Sequence, residues 1–167
     1  MEAVFYISAA VAVLATLMVI TRLNAVHALL YLVVSLLAVA VIFFILGAPF
    51  AAALEIIIYA GAIMVLFVFV VMMLNLGPAT IEQERQWVSS GMWAGPSLLS
   101  IILLGELVYL LLFSPQLGDH GPSAIGPKQV GVQLFGPYLI GVELASVLLL
   151  PGLIGAYHLG RRSQGDR

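Results

Sequence analysis

The chain has 167 residues, 63% of them hydrophobic and only 8% charged, with a formal net charge of −2. A soluble domain carries about 25% charged residues, so lipid is the solvent this composition fits. The small negative charge argues against a nucleic-acid partner, and the lack of cysteine excludes disulfides, thiolate-held clusters and cysteine nucleophiles within the chain.

A membrane helix needs about 20 apolar residues. Five stretches meet that length: Ala3–Ile20, Ala25–Leu46, Ala51–Leu74, Trp93–Phe113 and Pro137–His158. The first is not a cleavable signal, because Met1-Glu2-Ala3 has no basic n-region and the apolar run outlasts an h-region. The expected fold is therefore all-α: one integral membrane domain over residues 1–167 with five transmembrane helices.

"LGAPF" (46–50) separates the second and third spans. Proline disfavours helix in the residue before it and glycine ends helices cheaply. The two spans should be antiparallel neighbours joined by a tight turn. Arg22, Arg85, Arg161, Arg162 and Arg167 fall on one side of the five spans, and only Lys128 on the other. The positive-inside rule then puts the N-terminus outside and the tail 159–167 in the cytoplasm. Trp87, Trp93 and Tyr138 stand where aromatic belts sit.

In the cytoplasmic loop 77–91, Thr80 precedes Gln83 at capping-box spacing. The outer loop 114–136 is rich in glycine and proline, and a partner surface would suit it. The alternation of Val130, Val132 and Leu134 predicts a few residues of extended chain there.

Three carboxylates lie within spans: Glu55, Glu106 and Glu143. Charge at mid-bilayer costs at least about 2.5–3.5 kcal/mol. Glu55 is about 6 Å deep at the helical rise, Glu143 is similarly placed, and Glu106 is nearer the middle. Two readings of Glu55 and Glu143 stand side by side: acids that snorkel or stay neutral, or groups facing a protein interior that moves protons. No lysine or arginine lies in any span to pair with them.

In an α-helix Tyr59 shares a face with Glu55, and Gly61 falls off it. Gly61 reads either as a site of close helix packing or as a local irregularity of the π type. Gly141 and Ala145, with Ser146 beside them, form a small-residue packing surface. Pro151 should kink the fifth span. The three histidines (His27, His120, His158) are too far apart in sequence for a helical metal site, and none is expected.

The stretch "NAVHALLYLVVSLLAVAVIFFILGAPFAAALEIIIYAGAIMVLFVFVVMMLN" (24–75) resembles the subunit J family of bacterial proton-pumping NADH:quinone oxidoreductases, respiratory complex I. The mitochondrial counterpart is the sixth mitochondrially encoded membrane subunit. "FYI" near the start, "IEQERQW" (81–87) and "LFGPYLIGVELASVLLL" (134–150) extend the likeness over nearly the whole chain. Pro151 and Glu106 stand outside the family pattern, and no role attaches to them.

The resemblance implies five spans with the N-terminus outside, in the periplasm of a bacterial inner membrane. It implies a π-bulge in the third helix near residues 59–67, with Tyr59, Gly61, Val65 and Phe67 in the bulge region. This helix would switch geometry and so couple quinone reduction to proton translocation, with Glu55 a candidate on the hydrated axis of carboxylates; Glu143 is a proton-path candidate from the reading of the residues alone. Flavin, iron–sulfur clusters and quinone would reside on other subunits. This chain would be a non-catalytic part of the translocase, would not bind NADH, and would have other membrane subunits and lipid as partners. Two alternatives remain: a homologous subunit of a multi-subunit cation/proton antiporter or membrane-bound hydrogenase, and a purely structural or assembly subunit.

Overall fold

A computed structural model describes residues 1–22, 24–73, 90–113 and 125–160. Helix α1 spans Glu2–Thr21 and α2 spans Ala25–Ile45. The third span is one helical rod in three parts: α3 (Pro49–Leu54), a π segment (Glu55–Ile63) and α4 (Met64–Met73). Helix α5 covers Ser90–Phe113, α6 covers Pro127–Leu134 and α7 covers Leu139–Gly160. Five of these rods are long and apolar enough to cross a membrane: Glu2–Thr21, Ala25–Ile45, Pro49–Val71, Trp93–Phe113 and Leu139–Gly160. The described residues form two compact units, one ending at Ile125 and one starting at Gly126.

The first unit is a bundle of α1, α2 and α5, with the third span packed on α2. Most of its buried residues repeat at spacings of three and four: Val4, Ser8, Val11 and Ala15 on α1, and His27, Tyr31, Val34, Ala38 and Val41 on α2, where Ser35 and Ala40 are buried beside them. On α5 they are Pro96, Leu103, Glu106 and Leu110. This is the spacing of one helix face turned to its neighbours. Ala15 and Ala38 are fully buried, and their small side chains let the backbones approach. Val11, Ala15, Val34, Ala38 and Leu103 form one apolar layer, and Val4, Val41 and Leu110 another. Polar contacts join α1 to α2: the hydroxyls of Thr16 and Ser35 are 2.8 Å apart, and Ser35 also donates to the Ala12 carbonyl at 3.3 Å.

Local chemistry sets the helix ends. Asn24 caps α2, its side-chain oxygen accepting from the N–H groups of Val26 (2.9 Å) and His27 (3.2 Å). At the other end, the N–H of Ala48 donates to the Phe43 carbonyl and that of Gly47 to Phe44. Gly47 has φ 81, the left-handed residue of a Schellman cap. Pro49 opens α3. The tight antiparallel turn expected at 46–50 is thus present.

Within the second unit, residues 127–134 are helical, not extended. Three alternating apolar residues were too short a signal. Pro127 sits in the first turn of α6, and the Gln129 side chain accepts from the Gly126 N–H at 3.1 Å. Those start signals outweigh the alternation. A turn at 135–138 leads to α7, which runs on through Pro151. The capping-box turn at Thr80, the belt residue Trp87, Arg85 and the arginines of the tail lie outside the described residues.

Candidate functional site

The third span carries most of the candidate residues, and its backbone is unusual where they cluster. Residues Glu55–Ile63 form a π-helix. Such geometry accounts for well under 1% of residues in globular proteins and concentrates at functional sites. The change of register is visible at the C-terminal end. At the N-terminal end the Glu55 N–H still bonds the Ala51 carbonyl, the α-helical acceptor, and is shared with that of Ala52. The Met64 N–H is shared between the carbonyls of Tyr59 and Gly61, passing over Ala60, the α-helical acceptor. The flanking residues Leu54 and Met64 have ordinary helical dihedrals.

The π segment starts and ends four residues earlier than the 59–67 expected. Glu55, Tyr59 and Gly61 belong to it, whereas Val65 and Phe67 follow it in α4. The sequence around 60–62 explains the location. Ala60, Gly61 and Ala62 are small, and a Cβ on Gly61 would stand 3.2 Å from the Ile56 carbonyl oxygen, five residues back. That is tighter than an ordinary side-chain contact. Glycine lets the wider π turn close without that crowding. Each π turn holds one residue more than an α turn. The face relations of a straight helix therefore do not carry across this segment.

The side chains of the third span are mostly open. Glu55 and Gly61 are half-buried, and Tyr59, Val65 and Phe67 are exposed. Met64 is buried. Among the described residues nothing hydrogen-bonds to the Glu55 carboxyl. Glu143 is exposed on α7, and the Ser146 hydroxyl donates to its main-chain carbonyl at 2.7 Å. Among the described residues no three His, Asp or Glu side chains come together as metal ligands would.

The carboxylate left without a role is the one most enclosed. Glu106 is 7% exposed and Ser8 is 0% exposed. The Ser8 hydroxyl donates to Oε2 of Glu106 at 2.7 Å. The pair lies along α1 and α5 between the two apolar layers. Sequence reasoning missed it, although one signal was available: Ser8 and Glu106 fall on the same three-four spacing as the apolar residues around them.

At the other end of the bundle, His27 meets Trp93 edge-on, with ring centroids 6.4 Å apart. The Arg22 guanidinium lies over the Tyr31 ring, 5.5 Å from its centroid. The Tyr31 hydroxyl fits against Gly95, where a Cβ would overlap it.

Five apolar helical rods and an apolar bundle with a π-helical third span define a multi-pass helical membrane protein. Residues 15–159 match the family NADH-ubiquinone/plastoquinone oxidoreductase chain 6. Over 162 residues the chain is 63% identical to NADH-quinone oxidoreductase subunit J of Pseudomonas aeruginosa, covering 97% of this chain and 98% of that protein. Over 164 residues it is 60% identical to the protein of the same name from Escherichia coli K12, covering 98% and 89%. The Buchnera protein from Schizaphis graminum is 51% identical, covering 98% of this chain and 100% of that one. The chain belongs to the chain 6 family.

Proposed function

We propose that this chain is a membrane subunit of NADH–quinone oxidoreductase in a bacterial inner membrane. Its five spans form one membrane domain, with the N-terminus in the periplasm and the C-terminus in the cytoplasm. The third span couples quinone reduction on other subunits to proton translocation by changing between π and α geometry. Flavin, iron–sulfur clusters and quinone reside elsewhere in the complex, and this subunit contributes a moving backbone and a hydrated path. Glu55, Tyr59 and Gly61 sit on the moving segment, Val65 and Phe67 are turned by it, and Glu143 is a further proton-path residue.

The π segment over Glu55–Ile63 carries this reading. Going from π to α moves each N–H to the next carbonyl and rotates the following helix by about 100° per residue withdrawn. A coupling element needs two such discrete states with different contacts. The relatives cited above support the choice of complex over an antiporter or hydrogenase. Gly61→Leu should lower quinone-driven proton pumping while the subunit stays in the membrane. Unchanged coupling in that variant would count against the moving helix.

The exposure of the third span favours a second, structural reading, in which its small residues only pack against a neighbouring subunit. Full activity after joint substitution of Glu55, Tyr59 and Gly61 would favour that reading.

A further inference from the structure

Glu106 and Ser8 hold core positions that apolar residues hold in the layers on either side. A carboxyl offers two oxygens, and in either protonation state both seek hydrogen-bond partners. Ser8 satisfies Oε2. Oε1 is sealed from solvent and is the one buried side-chain polar atom left unpaired among the described residues. Elsewhere in the bundle, the buried Ser35 hydroxyl and the hydroxyl of the exposed Thr16 meet each other and the Ala12 carbonyl. The gap is therefore local to one atom. Buried polar groups in such positions are commonly met by ordered water, which needs at least two polar partners. Oε1 is one. The Ser8 oxygen, having donated its hydrogen to Oε2, keeps lone pairs and is a second.

We propose that Glu106 and Ser8 form a buried hydration site that holds one water molecule between Oε1 and the Ser8 hydroxyl. The site lies in the half of the α1–α2–α5 bundle that contains the N-terminal end of α1. It is built on different helices from Glu55 and Gly61. It puts a protonatable side chain beside water between two apolar layers of the bundle. No step of the proposed coupling runs through it, so the site stands or falls independently of that reading.

Two measurements test it on the assembly isolated in lipid with the chains that accompany this one in its membrane. A density map fine enough to show ordered water should carry a peak within hydrogen-bonding distance of Oε1. A well-ordered Glu106 with only carbon atoms around Oε1 overturns the site. Infrared difference spectra between the wild type and Glu106→Gln should isolate a carboxyl band. That band should shift when H2O is replaced by D2O, and Ser8→Ala should move it. A band indifferent to solvent exchange overturns the proposal and leaves a sealed packing acid. If Glu106→Gln fails to assemble, the wild-type map still decides.

Discussion

The α-carbon of Gly61 faces the carbonyl oxygen of Ile56 so closely that a methyl group there would stand only 3.2 Å from it. The contact exists because the π turn brings residues five apart into register. Gly61→Ala therefore strains the π form. In an α-helix the same change is favourable by about 1 kcal/mol. Both effects favour α geometry, and a shift of that size changes a two-state ratio about fivefold. A map of the assembled Gly61→Ala variant should show fewer π turns after Glu55, with normal assembly and reduced proton pumping. An unaltered π segment would show that neighbours, not residue 61, dictate the geometry.

The Ser8–Glu106 bond invites a double-mutant cycle. Ser8→Ala takes the hydrogen-bond donor from Oε2, and an unmet buried group costs about 1–3 kcal/mol. Interhelical hydrogen bonds in membranes average nearer about 0.6 kcal/mol, so the lower end of that range is expected. Glu106→Leu removes both carboxyl oxygens together and should be milder than Ser8→Ala. In the Glu106→Leu background, Ser8→Ala should cost almost nothing further. Thermal inactivation midpoints of the four proteins give the coupling directly. Additive effects would mean that the two side chains do not act as a pair.

Tyr31 and Gly95 make a steric prediction. Tyr31 is 3% exposed, and a Cβ on Gly95 would overlap its hydroxyl. Gly95→Ala must push α5 away from α2 or turn a packed ring, and overpacking of this kind costs about 1–3 kcal/mol. Tyr31→Phe removes the overlapping atom. Gly95→Ala should thus lower the thermal midpoint, and Tyr31→Phe should restore much of it in the double variant. Failure to restore would place the strain on the α5 backbone.

Hydropathy exposed the five rods, and "LGAPF" marked the turn, because length, proline and glycine act locally. The buried faces were harder to read. Leu104 is exposed on α5 and Leu103 is buried, yet both are leucine, since lipid accepts the same side chains that the bundle does. With no polar outer face, the seam leaves little contrast. The π segment was legible only through family resemblance, and four residues out of place. Nothing in "EIIIYAGAI" fixes which carbonyl each N–H chooses, except the room that Gly61 leaves beside Ile56. Residues 127–134 misled for the opposite reason: a short alternation was given more weight than proline and glutamine at a helix start.

Glu55 opens the π segment, half-buried, with its carboxyl unbonded among the described residues. Its N–H still bonds the α-helical acceptor Ala51, and the π segment runs from Glu55 to Ile63. Glu55→Gln keeps the shape and removes the ability to gain or lose a proton. The geometry of the π segment should not change. Proton pumping should fall less than in Gly61→Leu, because the proposed switch remains and only the group beside the proposed water path is altered. Pumping per quinone reduced, compared in the same vesicles, separates the two. A larger loss in Glu55→Gln than in Gly61→Leu would make the carboxylate, and not the backbone, the principal coupling element. Normal pumping and activity would reduce Glu55 to an anchor at the head of the span.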